Sequence, residues 1–342
     1  MLRRIFYVLG NLLALLAGVG LLARFVPPDV LWPPTLIALM LPILMLLTAL
    51  FTALMLFRGR WAAVAFPALV LLLSFSVLGR LFALGNSVDT PGEETLTVAT
   101  NNARGFKNDA WVDVEKKDVK RVISQLGADV LLLQESGADE GQYSYAPTIL
   151  AAGPYFARLQ PKNRAIATYA ENLKTIATSV KKFNGYTVAD VDTKLGTIRF
   201  INAHLQSNQI SGLAGELGKD KNVQAGLDRA ESMFRRYARS ARIRARQAEE
   251  ILQFVEESPH PVIVGGDFND VPTSYTYQRV LSPRLRDAWT TAGFGLGTTF
   301  TGPLPGLRID FLMVDTSFTV REVKRFETGY SDHRGVRVVV SK

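Results

Sequence analysis

The stretch Val262–Asn269, with the sequence VIVGGDFN, joins a short apolar run to a polar turn. The run Val262–Val264 is typical of a buried β-strand. Gly265 and Gly266 follow it, and Asp267 and Asn269 then bring a carboxylate and an amide to the end of the strand. In open α/β sheets, ligands bind beyond the carboxyl ends of strands. The stretch therefore predicts an α/β sheet with a polar site at one edge.

Two further segments place polar groups beside apolar runs. They are Arg308–Asp310 and Ser331–His333, and each closes or follows a predicted buried strand. The chain has only three histidines, and two of them, His204 and His333, occupy such strand-end positions. Carboxylate, amide and imidazole groups gathered at strand ends indicate a metal-dependent site that cleaves phosphate esters.

Predicted strands alternate with helices through the last three quarters of the chain. This alternation favours α/β layers, with sheets inside and helices outside. The predicted helices are Trp111–Leu126 and Ala225–Val255. The predicted strands beside Val262–Val264 are Thr95–Thr100, Asp129–Gln134, Ile166–Tyr169, Thr175–Val180, Tyr186–Val191, Gly196–Ala203, Ile309–Val314 and Val336–Val340.

Most of the candidate site residues follow the carboxyl end of one of these strands. Taken singly, an acid after a strand is more often a helix cap or turn former, and a histidine there is more often structural. The combination is informative because phosphoester hydrolysis needs hard oxygen ligands for a divalent ion, an oriented water and proton donors. The candidates are Asn102, Glu135, His204, Asp267, Asn269, Asp310, Asp332 and His333.

These motifs, in this order, resemble those of the endonuclease/exonuclease/phosphatase superfamily, which includes DNase I, apurinic-site endonucleases, neutral sphingomyelinases and inositol polyphosphate 5-phosphatases. The resemblance implies a four-layer DNase I-like sandwich, in which two packed β-sheets are flanked by helices, over residues 92–342. The matching segments are Thr100–Ala103, Leu133–Glu135, Asn202–Leu205, Gly266–Asn269, Arg308–Asp310 and Ser331–His333.

The resemblance also implies a metal site. Glu135 would hold a divalent ion, Mg2+ or alternatively Mn2+, with help from Asn102 and Asp332. Asn101 is an alternative to Asn102, because the two are adjacent and the alignment could slip by one residue.

The remaining candidates would carry the chemistry. Asp267 would orient or deprotonate the attacking water, and Asn269 would hydrogen-bond a phosphate oxygen. His333, paired with Asp310, would donate to the phosphate, since an aspartate partner fixes the imidazole tautomer and favours its charged form. His204 would contact the phosphate or assist the leaving group.

The first 84 residues predict a membrane anchor with three transmembrane helices. Their apolar stretches come close to the roughly 20 residues that a spanning helix needs. Residues 85–91 would be a short linker, and residues 92–342 the catalytic domain. The three predicted spans are Ile5–Leu22, Thr35–Phe57 and Trp61–Leu78.

Arginine positions predict how this anchor is oriented. The positive-inside rule puts the amino terminus in the cytoplasm and the catalytic domain outside, so we expect a multi-pass inner-membrane protein with a periplasmic or extracellular domain. One side carries Arg3, Arg4, Arg58 and Arg60, whereas the other carries Arg24 and Arg80.

Composition adds two limits. The whole chain has a net charge of +8, but residues 1–84 hold six arginines and one acid. The rest therefore has 33 basic (39 − 6) and 30 acidic (31 − 1) residues, a net of +3 that gives little support to a nucleic-acid surface. The chain has no cysteine, which excludes disulfides, thiolate catalysis and cysteine-ligated metals.

The sequence predicts a membrane-anchored, Mg2+-dependent hydrolase of phosphodiester or phosphomonoester bonds. Its expected partners are the bilayer and a phosphate-ester substrate, and lipid head groups are favoured because the short linker keeps the domain near the membrane. An extracytoplasmic metal-dependent nuclease and a non-catalytic, membrane-tethered binding module are the alternatives. No obligate protein partner can be inferred.

Two further segments each allow two interpretations. The arginine-rich helix segment Arg229–Arg246 predicts either a solvated helix face or a contact with anionic lipid or nucleic acid. The loop Gly212–Gly226 follows His204 and is expected to border the site, as a substrate-binding lip or a simple connection.

Overall fold

Two six-stranded β-sheets dominate the computed structural model, which describes residues 2–85, 92–138, 140–162, 165–208, 223–302 and 306–342. The predicted linker, apart from Gly85, and most of the predicted loop Gly212–Gly226 lie outside these ranges. The strands are β1 Ala83–Leu84, β2 Leu96–Asn102, β3 Val130–Gln134, β4 Ala157–Leu159, β5 Ile166–Ala170, β6 Lys174–Lys181, β7 Asn184–Thr193, β8 Gly196–His204, β9 Val262–Asp267, β10 Leu285–Asp287, β11 Phe294–Gly295, β12 Asp310–Asp315, β13 Thr319–Phe326 and β14 Gly335–Ser341.

The helices lie in an amino-terminal group and among the strands. They are α1 Leu2–Leu22, α2 Pro33–Leu39, α3 Leu41–Phe57, α4 Ala65–Leu81, α5 Lys116–Leu126, α6 Ala146–Leu150, α7 Val223–Glu256, α8 Tyr275–Val280 and α9 Ala288–Ala292.

Both large sheets are mixed. Sheet I has the strand order β10-β12-β9-β8-β7-β6, and its one parallel pair is β8 with β9. Sheet II has the order β13-β14-β2-β3-β5-β4, and its one parallel pair is β2 with β3. Each parallel pair brings the carboxyl ends of two neighbouring strands to the same edge, so each sheet has an edge suited to a polar site.

The layers run helix–sheet–sheet–helix, which confirms the predicted two packed sheets with flanking helices. The two sheets share one core, in which Val98 and Leu132 of sheet II meet Phe200 and Ile263 of sheet I. Helices α5 and α6 pack on the outer face of sheet II, and α7 and α8 pack on the outer face of sheet I. With both faces covered, the inner strands read as the continuous apolar runs seen in the sequence.

The amino-terminal helices do not confirm three membrane spans. Among the described residues, one helix, α1 over Arg4–Leu22, is long and apolar enough to cross a membrane. The second predicted span is broken at Met40, where α2 and α3 meet at a bend of 73°, so the pair counts as a span only if both pieces are taken together. The third, α4, is a shorter apolar helix of 17 residues.

The amino-terminal helices pack directly on the sheet-containing part. Arg308 Nη2 donates to the carbonyl oxygen of Arg80 at 2.6 Å, and Thr273 Oγ1 donates to that of Ala38 at 3.2 Å. Strand β1, which follows α4, pairs with β11. Ala23 and Ala38 form a small apolar cluster with residues Val271 and Ile309 of the other part.

The arginine-rich helix α7 is not a purely solvated face. Arg244 is fully buried and its Nε lies 3.1 Å from Asp270 Oδ2. Arg246 Nη2 lies 3.3 Å from Asp29 Oδ1, in the loop between α1 and α2, and Arg235 forms an exposed ion pair with Glu231. The solvated prediction therefore holds for part of the helix, while other members pack against the rest of the chain.

One predicted helix is corrected, and one long strand was missed. Helix α5 begins at Lys116 rather than Trp111, because Lys107 and Asp113 form a bridge that folds the preceding residues into a turn. Strand β13 went unpredicted. Its apolar residues Val320, Val323 and Phe326 lie three apart, and a bulge between Val320 and Glu322 interrupts the pairing, so this edge strand lacks the period-two pattern of a regular strand.

Candidate functional site

Strand register aligns three of the predicted residues across sheet I. Asp310 of β12 pairs with Asp267 of β9, and Asp267 pairs with His204 of β8. All three side chains are buried. Residues at equivalent positions on neighbouring strands face the same side of the sheet, so the register itself produces the cluster.

Gly266 makes this close pairing possible. Its φ of 139° lies in the region that favours glycine, and a Cβ there would come within 1.9 Å of the Ala203 carbonyl oxygen. The glycine that precedes Asp267 is therefore required by the approach of β8 to β9.

Sheet II contributes Asn102 and Glu135 from its own parallel pair. Asn102 ends β2, and Glu135 follows β3 with a φ of 47° that turns the chain. Asn102 Nδ2 donates to Asp267 Oδ2 at 3.0 Å and to Glu135 Oε1 at 3.3 Å, so it links the two sheets at the site. Asn101 is buried, and neither polar atom of its side chain has a hydrogen-bond partner in the described part of the chain. Asn102, not Asn101, is thus the residue that joins the cluster.

A buried polar network lies just behind these residues and fixes one sheet against the other. Gln134 Nε2 donates to Asn202 Oδ1 at 2.7 Å, and Asn202 Nδ2 donates to the Ala167 carbonyl oxygen at 2.9 Å. Buried amides are costly unless they are paired, so this pairing favours a single alignment of the sheets.

His333 and Asp310 form a buried ion pair. His333 Nδ1 lies 2.9 Å from Asp310 Oδ2, and its Nε2 lies 3.9 Å from Asp267 Oδ2. Burial alone would lower the pKa of His333, but the carboxylates of Asp310 and Asp267 outweigh it and raise that pKa to about 10. His333 is therefore a cation at neutral pH, with Nε2 directed to the same side as Asp267.

Asp267 is held by donors on several sides. The Asn269 backbone N donates to Asp267 Oδ1 at 2.8 Å, and Asn269 Nδ2 donates to Asp267 Oδ2 at 3.3 Å and to the Leu205 carbonyl at 3.0 Å. Burial raises the pKa of Asp267, and the nearby Asp310 carboxylate acts in the same direction, against the opposing charge of His333 and the hydrogen bond from Asn102. A fixed carboxylate with a raised pKa is a suitable proton acceptor.

His204 has a defined tautomer. Its Nδ1 lies 2.8 Å from the Phe183 carbonyl oxygen, which can only accept a hydrogen bond, so Nδ1 carries a proton. Its Nε2 lies 3.7 Å from both Glu135 Oε1 and Asp267 Oδ2. The imidazole is thereby oriented with one nitrogen toward the carboxylates.

These residues open into one cleft of about 310 Å³, within the usual size of a small-molecule site. Every predicted site residue except Asp310 lines it, and Asp310 lies behind His333. The lining residues that the sequence did not predict are Leu39, Arg104, Trp111, Ser207, Asn208, Phe300, Leu307 and Ile309.

Arg104 is the most informative of the unpredicted lining residues. Its Nε lies 3.8 Å from Asp332 Oδ1, and its guanidinium lies 4.8 Å from the centre of the exposed Trp111 ring. Its backbone N donates to Asn102 Oδ1 at 3.0 Å. The sequence could have indicated Arg104, because it lies two residues after Asn102 at the end of a strand and phosphate sites need positive charge.

The donor chemistry of the cleft fits a divalent cation. Asp267, Asp310 and His333 bring ligand atoms within 4.8 Å of one another and could hold an ion. However, His333 is engaged by Asp310 and charged, so it would repel a cation. Glu135 has its side chain 40% exposed beside Asn102, and Asp332 is 32% exposed in the same cleft. Their hard oxygens are the better match for a divalent ion.

Two family models match the chain. A family model described as the Endonuclease/Exonuclease/phosphatase family matches residues 100–333, and one described as Domain of unknown function (DUF8431) matches residues 3–81. No protein of curated function shows significant sequence similarity to the chain.

Solved structures share the fold at low identity. An endonuclease/exonuclease/phosphatase from Beutenbergia cavernae DSM 12333 has a TM-score of 0.51 and 17% identity, and the match covers 72% of each chain. TDP2 from D. rerio, complexed with a single-strand DNA product, has a TM-score of 0.50 and 16% identity, over 73% of this chain and 100% of that one. A humanized D. rerio TDP2 with 14 mutations matches with a TM-score of 0.50 and 16% identity, over 72% and 99% of the two chains.

Proposed function

The chain belongs to the Endonuclease/Exonuclease/phosphatase family, and on that basis we propose a membrane-anchored, divalent-metal-dependent phosphoesterase. It would hydrolyse phosphodiester or phosphomonoester bonds outside the cytoplasm, with lipid head groups as the leading substrates. Residues 92–342 would be the catalytic domain, residues 85–91 the linker and residues 1–84 the anchor. The observation that carries the proposal is the meeting of both sheets at Asp267, with Asn102, His204 and His333 around it.

The metal would be held by Glu135 with Asn102 and Asp332, and Mg2+ is the preferred ion, with Mn2+ as the alternative. A bound divalent cation supplies Lewis-acid stabilisation of charge on the phosphate oxygens. Arg104, which lies beside Asp332, would add a positive charge at the same wall of the cleft.

The other side chains would move protons and hold the phosphate. Asp267 would accept the proton of the attacking water, helped by its raised pKa. His333 would donate to a phosphate oxygen through Nε2 while Asp310 keeps it charged. His204 would contact the phosphate or assist the leaving group through Nε2. Asn269 Nδ2, which donates to Asp267 Oδ2 at the long distance of 3.3 Å, would also donate to a phosphate oxygen.

Exposed apolar side chains support the membrane anchor. Helices α1, α3 and α4 pack together, yet they present large apolar residues outward, as at Leu46, Leu72 and Phe75, which are 60%, 72% and 73% exposed. Soluble proteins rarely expose apolar patches of this extent, so a lipid environment is the natural cover. The proposed orientation rests on the positive-inside rule, with Arg3, Arg4, Arg58 and Arg60 on one side of the predicted spans and Arg24 and Arg80 on the other.

A substrate panel on the purified full-length chain tests the proposed function. Lipid phosphodiesters, lipid phosphomonoesters, plasmid DNA and single-stranded DNA would each be assayed with Mg2+ and with EDTA. We expect Mg2+-dependent turnover of a lipid phosphate ester, lost with His333→Ala. His260→Ala is the matched control, because His260 lies outside the cleft and its loss should leave activity unchanged.

The panel also separates the alternatives. Cleavage of DNA with lipid esters untouched would support the nuclease and overturn the lipid assignment. DNA is included in the panel because TDP2, which shares the fold, has been solved in complex with a single-strand DNA product. If no phosphate ester were turned over, the proposal that the chain is an enzyme would be overturned, and the alternative of a binding module would be supported.

A further inference from the structure

One wall of the cleft comes from the amino-terminal helices. Leu39 is the last residue of α2, just before the bend at Met40, and it lines the cleft together with Asn102, Glu135 and His333. Leu39, Leu307 and Phe300 each pack against the buried apolar cluster that includes Ala38 and Ile309. An apolar side chain from the proposed anchor therefore stands beside the acidic and imidazole groups.

From Leu39 an apolar crevice continues away from the acids. It has a volume of about 70 Å³, and it is adjacent to the cleft, because Leu39 and Leu307 line both. The crevice lies between the amino-terminal helices and the sheet-containing part, and its apolar lining includes Ala38, Pro42, Leu81 and Val271.

Two polar groups at the crevice wall, the Thr273 hydroxyl and Arg308 Nη2, already make hydrogen bonds, whereas the buried Arg308 Nε has no partner in the described part of the chain. Thr273 Oγ1 donates to the Ala38 carbonyl, and Arg308 Nη2 donates to the Arg80 carbonyl. Both bonds join the two parts of the chain and leave an apolar surface toward the crevice. A charged or sugar group would lose its hydration there without compensation, whereas a hydrocarbon chain would gain free energy by burial.

We propose that the amino-terminal helices form part of the substrate site, and that the crevice from Leu39 binds the hydrocarbon chain of an amphiphilic phosphate ester. The ester's phosphate lies against the acids and histidines, and its chain passes Leu39 and Leu307 toward the helices. Leu39 is thus a specificity-determining residue supplied by the anchor. The proposal rests on the proposed function for the phosphate end of the site, and it adds the substrate's apolar half.

Binding of two soluble phosphonates tests this directly. Hexylphosphonate and methylphosphonate share a head group that is not hydrolysed, and calorimetry on the full-length chain with Mg2+ would give both affinities. We expect hexylphosphonate to bind at least about tenfold more tightly, a difference of about 1.4 kcal/mol. Leu39→Asn should reduce the preference to below about threefold, and Leu39→Met should retain it, because methionine keeps the volume and apolar character.

Met40→Gln is the matched control, since Met40 is adjacent, exposed and absent from the lining of both cavities. Equal affinities for the two phosphonates, or equal effects of Leu39→Asn and Met40→Gln, would overturn the proposal. A chain preference without turnover of any phosphate ester would leave it standing while the proposed function fails. Turnover of a phosphate ester without a preference for hexylphosphonate would support the proposed function and overturn the proposed hydrocarbon site.

Discussion

At the residue scale, the pairing of His333 with Asp310 decides the charge of the site. The two groups lie at hydrogen-bond distance inside the protein, where a carboxylate acts on an imidazole with little screening. The pairing keeps His333 protonated, with Nε2 near Asp267, and it holds the ring in one orientation.

Substituting Asp310→Asn should move the basic limb of the pH–activity profile to lower pH. His333 is in its donating form below its pKa of about 10 and loses that form above it. Asparagine can still accept the Nδ1 hydrogen bond but removes the charge that raises the pKa, so we expect a shift of about one pH unit or more. At pH 10, a one-unit shift lowers the protonated fraction of His333 from about one half to about one tenth, so kcat/KM should fall about fivefold there.

The profile of kcat/KM against pH for Asp310→Asn measures this, with Asp192→Asn as a control on an exposed aspartate of β7. If the basic limbs of the native chain and Asp310→Asn coincided, His333 would not be the group that titrates.

Polar residues at strand ends were readable from the sequence, because each stands beside an apolar run. His204 and Asp267 end β8 and β9, whereas Asp310 begins β12 and reaches the same edge because β12 is antiparallel to β9. Leu39 could not be found in this way, because its place in the cleft depends on how the amino-terminal helices pack on the sheets. A leucine in an apolar run carries no local signal of such a contact.

At the element scale, the close parallel pairing of β8 and β9 sets the geometry of the site. A Cβ at Gly266 would collide with the Ala203 backbone, and a Cβ at Gly265 would meet Leu132 and Leu312 at 2.7 Å. The two glycines therefore allow β9 to pack closely against β8 and against the facing sheet. This close packing pairs Asp267 with His204.

Gly266→Ala should destabilise the protein by about 3 kcal/mol or more, since it combines backbone strain with a steric clash. Gly226→Ala, in helix α7 with open space around it, is the matched control, and it should stabilise by about 0.5–1 kcal/mol. Thermal unfolding of the full-length chain in detergent compares the two. A Gly266→Ala melting temperature equal to the native value would contradict the argument.

Helix α7 supports the site through Arg244. Its buried guanidinium meets Asp270 and also donates to the Gln206 carbonyl at 3.0 Å and to the Asn208 side chain, which itself donates to the Asn269 carbonyl. Arg244 thus ties the segment after His204 to the turn after Asp267.

Arg244→Met should cost about 3–5 kcal/mol of stability, because it leaves the buried Asp270 carboxylate without its partner. Adding Asp270→Asn to Arg244→Met should recover part of that loss by removing the unpaired charge. Thermal unfolding of the single and double variants measures the coupling. Additive losses in the double variant would show that the two groups do not act as a pair.

Element types followed from the sequence where apolar runs were buried on both faces, as in β3, β8 and β9. Prediction failed where the structure depends on partners distant in the chain. Strand β13 exists because β14 pairs with it along its length, and the residues before α5 form a turn because Lys107 meets Asp113.

At the scale of the whole molecule, the amino-terminal helices and the sheets meet through hydrogen bonds, a strand pair and an apolar cluster. The sequence predicted two separate parts joined by a linker, with the anchor as a tether. The packing gives the helices a second role, since the bend at Met40 brings Leu39 to the cleft. Composition could not predict this, because the same apolar residues suit a lipid-facing and a protein-facing helix.

Reporter fusions test the proposed membrane orientation. Alkaline phosphatase joined after Leu84 should be active and a cytoplasmic reporter at the same place inactive, because the arginines of the turn Arg58–Arg60 favour the cytoplasmic side. Fusions at Gly59 should give the opposite pattern and serve as the control. An active cytoplasmic reporter after Leu84 would reverse the orientation.

The central claim is that Asp267 carries metal-dependent hydrolysis of a phosphate ester, and one measurement tests it most directly. Turnover of the best substrate by the full-length chain would be compared with that of Asp267→Asn, each with Mg2+ and with EDTA. Asparagine preserves the shape but cannot take a proton, so we predict a loss of at least about 10²-fold with the melting temperature retained. EDTA should abolish native activity. Full activity of Asp267→Asn, or native turnover unaffected by EDTA, would contradict the account.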